Sequence, residues 1–585
     1  MDYPVNSILD RMMIVMNRSH KRQQKFVFAL LCTALSGFCH PSFAASDRVL
    51  DSKCLDADLI IHNATIYTGN DVQDVVASMA VKKDRIVAVG NVSDYECGSV
   101  KKIDMNGRFV FPGFTDAHVH LKETGYRELI LDLREAKSLK HAMEMVREKA
   151  ESGKPGQWLE GVGWIEKYWP EKRFATKFDL DPVVNDRGVV LARSDGHTIL
   201  ANSYALKLAG IDRNTVDPEG GIIQRTADGE PTGILIDNAT VLVTDLIPPK
   251  TREEDKEALR LAMERNVRLG WTQIQNAGGT AGDIDILQEL KAEGKLPQRI
   301  YYAFDDYDSI HNLLENGPVI DPEDQITTRA IKLFTDGALG SRGAALEKDY
   351  EDDASKGLML LTREEVVPIL VKALEKGVQV EAHAIGDRAN RLMLDWYEEA
   401  FNLVKIENRK VQSPRWRIEH VQVIAPDQQK RLKSLRVIPS MQPSHAIGDL
   451  YFGPTRLGPE RVKNAYVWQG LIELGLIIAG GSDAPVEVGD PLIEFYAAVV
   501  RKDMNGYFNE DWHIEQAVSR DVALKMLTIW PAYAAFQEDD RGTIEVGKLA
   551  DLTVFDKDIM TIDDKQILTT SVVMTMVGGK IVHKK

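Results

Sequence analysis

The chain has 585 residues, of which 44% are hydrophobic and 27% charged, the composition of an ordinary folded protein with more than one small domain's worth of core. Its 88 acidic side chains outnumber its 72 basic ones, giving a formal net charge of −16. No basic stripe interrupts that excess, which disfavours nucleic acid and anionic membrane surfaces as partners.

In chain order, the first expected element is a targeting segment over residues 1–45. Lys21-Arg-Gln-Gln-Lys25 supplies a positive region, Phe26 to Cys39 an apolar stretch, and Ser42-Phe-Ala44 a small-residue cleavage site. The apolar stretch falls short of the about 20 residues that a helix needs to cross a bilayer core. The expectation is an exported protein, periplasmic or secreted, with no stable membrane association after cleavage near Ala45; an uncleaved anchor is the alternative. Bulky Leu31 and Phe38 precede Cys32 and Cys39, which disfavours lipid attachment. Cys54 and Cys97 remain in the mature chain, where export permits a disulfide and two free thiols fit equally well.

Next come short β-branched runs at Ala57–Tyr67 and Ala80–Gly90, which read as antiparallel hairpins. The C-terminus repeats the style at Gly542–Phe555 and Val572–Val582. Residues 46–112 and 531–585 are therefore expected to combine into one small composite β-sandwich domain.

Between them, residues 113–530 alternate strands with helical stretches such as Arg252–Leu269, Arg363–Lys376 and Pro426–Leu435. Eight strands are expected: Val110–His120, Trp271–Asn276, Arg299–Phe304, Ala330–Thr335, Val378–His383, Arg415–His420, Val437–Gln442 and Leu476–Asp483. That pattern predicts an α/β protein, a (β/α)8 barrel of the TIM type. Residues 126–258, far beyond an ordinary connection, form a large insertion after the first strand, expected as a lid or substrate wall.

Potential ligands recur at the strand ends, the reactive face of such barrels. His118 and His120 lie two apart, so on a strand they point the same way. Lys332 sits inside an apolar strand, while His383, His420 and Asp483 end theirs. Histidine and aspartate suit zinc and similar divalent metals.

The specific marks are Pro112-Gly-Phe-Thr-Asp-Ala-His-Val-His120, Asp217-Pro-Glu-Gly-Gly-Ile222, Gly229-Glu-Pro-Thr-Gly-Ile234, Ile331-Lys-Leu-Phe-Thr-Asp-Gly337, His383-Ala-Ile-Gly-Asp-Arg-Ala389, Arg417-Ile-Glu-His420 and Gly481-Ser-Asp-Ala-Pro485. From about Asp56 to its end the chain resembles the amidohydrolase superfamily, specifically its family 3, the YtcJ-like branch related to N-substituted formamide deformylases. The resemblance implies one or two divalent ions, with His118, His120 and Asp483 on one and His383 and His420 on the other. It also implies that Lys332 is carboxylated and bridges them. One departure is Gln275-Asn276, where many relatives carry His-Asp.

The implied activity is hydrolysis of a non-peptide, amide-type carbon–nitrogen bond in a small molecule by metal-activated water, with Asp483 as proton acceptor and donor. His445 and His197 are candidates to hold the substrate or a developing oxyanion, and structural histidines are the alternative for both. Two rivals stand beside this reading. One is a mononuclear nucleobase-type deaminase, against which stand Lys332 and the lack of a glutamate beside His383. The other is an inactive binding or scaffold protein. Substrate, metal identity and homo-oligomerisation stay open at this point.

Overall fold

A computed structural model describes residues 55–585 apart from 71, 73, 97, 98, 154, 155 and 194–196. The expected targeting segment and both Cys54 and Cys97 lie outside the described residues.

Eight parallel strands form one sheet: β1 Phe114–Val119, β2 Trp271–Ala277, β3 Arg299–Phe304, β4 Ile326–Phe334, β5 Gln379–Ala384, β6 Arg417–His420, β7 Ile438–Met441 and β8 Ala479–Gly480. They are ordered in space as in sequence, the arrangement that helical returns between parallel strands produce. The helix Arg252–Leu269 shows how such a return is specified. Thr251 caps its start, Glu254 reaches back to the Thr251 backbone, and Gly270 ends it at φ 102.

The circle closes at the end that carries the candidate residues. Asp483 N–H donates to the His118 carbonyl at 2.7 Å, and His120 N–H donates to the Ala484 carbonyl at 2.8 Å. The fold class is thus a (β/α)8 barrel with additional sheets.

Two predicted strands differ in extent. Val110–His120 is split, because Phe109–Pro112 pairs in another sheet and β1 begins only at Phe114. Gly113 makes the crossing, and a side chain there would come within 2.3 Å of Thr272 Oγ1. Leu476–Asp483 keeps only the short ladder of β8, and the chain has left extended geometry by Asp483, φ 59.

Segments from before and after the barrel sequence build a single six-stranded sheet. Thr65–Tyr67, Val75–Val76 and Phe109–Pro112 come from one side of the barrel sequence, and Leu552–Phe555, Val572–Val577 and Lys580–Lys584 from the other. A four-stranded sheet of Leu59–His62, Met79–Lys82, Arg85–Val89 and Lys101–Asp104 packs on it, with Leu59, Ile61, Met79, Val110, Leu552 and Met576 in one shared core.

The insertion folds around its own six-stranded sheet, which includes Leu159–Trp164, Val189–Arg193, Thr198–Ala201 and Pro231–Asp237. Val189 and Leu191 enter one core while Val190 enters a second, the alternation of a strand covered on both faces. Among the described residues no helix is long and apolar enough to cross a membrane.

Candidate metal centre

β1 is buried along its whole length and delivers His118 into the barrel mouth. His118 Nε2 lies 3.4 Å from Lys332 Nζ and 3.5 Å from Asp483 Oδ1. His120, one residue past β1, places its Nε2 3.3 Å from the same Asp483 oxygen. The His420 ring stands 4.8 Å from that of His118 and 4.5 Å from that of His383, between centroids. One ligand atom from each of His118, His420 and Asp483 lies within 4.8 Å of the others.

His420 and Asp483 share a backbone feature. Their φ values are 75 and 59, a left-handed conformation that costs a non-glycine residue of order 1–3 kcal/mol and concentrates at functional sites. For His420 the turn has a clear effect. Alternation along β6 sends Glu419 into the barrel and would send His420 out, and the left-handed turn brings His420 back to the same centre.

The remaining expected residues fall at different distances from this group. His445, on the helix Pro443–Asp449, has Nε2 3.4 Å from Asp483 Oδ2. His383 lies beside His420, but its Nε2 faces Asp336 Oδ1 at 3.4 Å. Asp336 is itself fixed by the backbone N–H groups of Ala345, Ile385 and Gly386. His197 is three-quarters exposed on the insertion, with Nδ1 2.9 Å from Asp237 Oδ1, and stands outside the His118–His420–Asp483 group. Gln275 and Asn276 are buried scaffold: Gln275 donates to the Pro531 carbonyl, and Asn276 accepts from Leu121 N–H at the start of the helix after His120.

Burial, reinforced by Lys332, holds His118 well below the ordinary imidazole pKa, and burial with His383 does the same to His420. Both are therefore neutral, the form that binds a cation. Burial alone would raise Asp483, but His120, His420 and His445 outweigh it and keep the carboxylate ionised. Burial also lowers Lys332 below an ordinary lysine.

The buried atoms His383 Nε2, His445 Nε2 and Asp483 Oδ1 have no hydrogen-bond partner within the described structure. Orphans of this kind are rare and costly in native proteins. Two neutral imidazoles and a carboxylate converging on one point fit a divalent cation of the zinc type.

Sequence reasoning missed a second layer. Glu419 Oε2 lies 2.6 Å from His118 Nδ1 with both side chains fully buried. Behind it Glu381 faces Arg417 at 3.4 Å. Burial and Glu381 push the Glu419 carboxyl up to about 8, against the pull of Arg417 and Lys332. Gln442 Oε1 lies 2.8 Å from His420 Nδ1, and Gln422 Nε2 lies 3.1 Å from His445 Nδ1. The only signal for this layer was the adjacency of Glu419 to His420, which alternation argued against. Elsewhere, a cavity of about 760 Å³ between insertion and barrel, lined by Tyr126, Trp158, Lys250 and Glu254 among others, shares no residue with the centre.

An amidohydrolase family model matches residues 101–583. The chain belongs to the amidohydrolase family. The putative amidohydrolase YtcJ of Bacillus subtilis is 33% identical over 546 residues, covering 90% of this chain and 99% of the relative. The N-substituted formamide deformylase of Arthrobacter pascens is 27% identical, covering 90% and 98% respectively. Among solved structures, an uncharacterized metal-dependent hydrolase from Pyrococcus furiosus matches with a TM-score of 0.70 at 28% identity, over 86% of this chain and all of that one. This amidohydrolase is a metal-dependent hydrolase of small molecules, and the converging His118, His420 and Asp483 are a candidate cation site.

Proposed function

We propose that this amidohydrolase is exported and cleaves a non-peptide, amide-type carbon–nitrogen bond, with zinc or a similar divalent ion as cofactor. The observation that carries the reading is the convergence of His118, His420 and Asp483 on one point, with His120 and His445 both against the Asp483 carboxylate. The deformylase among its relatives supports carbon–nitrogen chemistry.

The full ligand set proposed is His118, His120 and Asp483 for one ion, His383 and His420 for a second, and carboxylated Lys332 between them. Burial favours the neutral amine of Lys332, the form that adds carbon dioxide and releases a proton to give an anionic carbamate. With Nε2 toward Asp336, His383 would join this set through Nδ1, or through Nε2 after turning it away from that carboxylate.

When bound, the cation supplies Lewis acidity that makes water a competent nucleophile near neutral pH. The other steps belong to the chain. Asp483 presents Oδ1 to His118 and His120 and Oδ2 toward His445, so Oδ2 receives the proton of the attacking water and returns it to the departing nitrogen. His445 Nε2–H donates to the carbonyl oxygen as negative charge develops there.

Metal quantitation joined to a screen of N-acyl amines, formamides, ureas and lactones tests the reading. Metal-dependent release of amine from one of the amide-type compounds is expected. Turnover confined to lactones, or ammonia release from nucleobases alone, overturns it.

A further inference from the structure

Away from the candidate metal centre, three arginines line one small cavity. It measures about 40 Å³ and lies between the helix Leu121–Leu129, the helix Arg252–Leu269 and the loop Ala484–Gly489 that follows Asp483. Arg127, Arg134 and Arg265 border it against a single carboxylate, Glu128.

The acids nearby do not match this charge. Glu128 lies 3.2 Å from Arg265 Nε and is shared with Arg268 at 3.9 Å. Asp132 accepts from Nε and Nη2 of Arg134, which leaves Nη1 unbonded among the described residues. Arg127 forms no ion pair among the described residues, and its Nη1 donates only to the neutral carbonyls of Pro485 and Glu487. Arg265 Nη2 donates to the Val488 carbonyl, and its Nη1 is buried with no hydrogen-bond partner. A carbonyl satisfies a donor without neutralising it, and a guanidinium has no accessible neutral form to retreat to. Burial works against the charge of both Arg127 and Arg265. Arg134 adds to the strain at Arg127, and Arg127 adds to it at Arg265, against the pull of the surrounding carboxylates.

The cavity also limits what could supply the missing charge. It has room for about two or three water-sized bodies, so a halide fits and a nucleotide or sugar phosphate does not. Solvent reaches it past Arg134, whose side chain is 44% exposed.

We propose that this cavity binds a small monovalent anion, a halide such as chloride, which completes the clamp that Arg127 and Arg265 place on the loop after Asp483. Those two side chains hold the carbonyls of Pro485, Glu487 and Val488, and Trp271 Nε1 holds that of Gly489 at 2.9 Å. An anion that fixes the guanidiniums fixes those carbonyls with them. The site does not depend on which bond the enzyme cleaves.

Crystals of the full chain grown in sodium bromide and free of chloride test the location through anomalous diffraction at the bromine edge. A peak in contact with Arg127, Arg134 and Arg265 is expected. Amide hydrogen exchange over residues 484–490, followed at constant ionic strength as chloride replaces gluconate, tests the clamp in solution. Chloride at about ten times its Kd should slow that exchange about tenfold and saturably.

Arg134→Gln removes one charge at a half-exposed position, so folding should survive it. The variant should raise the chloride Kd about tenfold, the scale of one charge-assisted hydrogen bond. Arg268→Gln removes the same charge beside Glu128 but outside the cavity, and should leave that Kd within about twofold. Three results overturn the site: no bromide peak in the cavity, a peak with chloride-insensitive exchange at 484–490, which marks binding at crystal concentration only, or an equal weakening by both variants, which marks general charge screening.

Discussion

The barrel buries charge at both ends, and the two ends treat it in opposite ways. At the foot, Arg299 opens β3 and meets Asp551 of the composite domain through Nε at 2.8 Å and Nη2 at 3.2 Å, while Gly578 N–H donates to the same carboxylate. Every oxygen of Asp551 has a donor, and Arg541 adds a further contact at 3.3 Å. At the mouth, Asp483 is just as deeply set, yet its Oδ1 has no hydrogen bond, and neither does Nε2 of His383 or His445. The Asp551 carboxylate has its hydrogen bonds made, although Nε and Nη1 of Arg541 beside it have none, whereas the Asp483 carboxylate leaves Oδ1 without one.

Substitutions at the two aspartates should therefore dissociate activity from stability. Asp483→Asn should cost about 10³-fold in kcat/KM, within the range for losing a positioned acid–base group, while the urea midpoint of the metal-free protein stays put or rises. Retention of full activity with full metal content would remove Asp483 from the reaction. Asp551→Ala should do the reverse, losing about 3–5 kcal/mol of unfolding free energy because Arg299 is left buried and unpaired. Its kcat per folded molecule should be unchanged.

The same contrast has a pH signature. Burial opposes ionisation of Asp551, but Arg299 and Arg541 overcome it and hold the carboxyl below the ordinary aspartate value. An acid lowered in the folded state contributes stability above its unfolded pKa of about 3.9, and that contribution disappears as pH falls through the folded value. Acid titration of the Asp551→Ala variant should consequently show a shallower loss of stability below about pH 4 than the parent protein.

Metal should act on the mouth alone. With free metal at about 100 times its Kd, binding should add about 2.7 kcal/mol to unfolding, a gain that chelation removes in the parent and in Asp551→Ala but that shrinks in Asp483→Asn. The smallest effect expected is at His197, whose exposed position beside Asp237 calls for no more than about a twofold change in kcat/KM on His197→Ala. A larger loss would bring the insertion into the site.

Much of this was legible beforehand because the barrel writes itself locally: β-branched runs, capped helices such as Thr251 to Gly270, and a polar residue at each strand end. The candidate site was legible as a set of residue types and positions. Its geometry was not, since period-two alternation carries no information about His420 and Asp483, whose left-handed backbones re-aim them past the ends of their strands. Glu419, Gln422 and Gln442 escaped for a related reason. They act across strands, and a single sequence does not show which strand lies beside which residue until the sheet is closed. The path of the insertion is equally nonlocal, so nothing in Val189–His197 could say that His197 would end at an exposed edge. The split at Gly113 was hidden because both halves are extended and apolar and differ only in their partners.

The most direct test is anomalous diffraction at the zinc edge from crystals of the zinc-loaded protein. A strong peak bounded by His118 Nε2, His420 and Asp483 is the expected result, with a second peak beside Lys332 if the bridge forms. Full zinc occupancy located elsewhere in the molecule, with these three side chains unliganded, would contradict it.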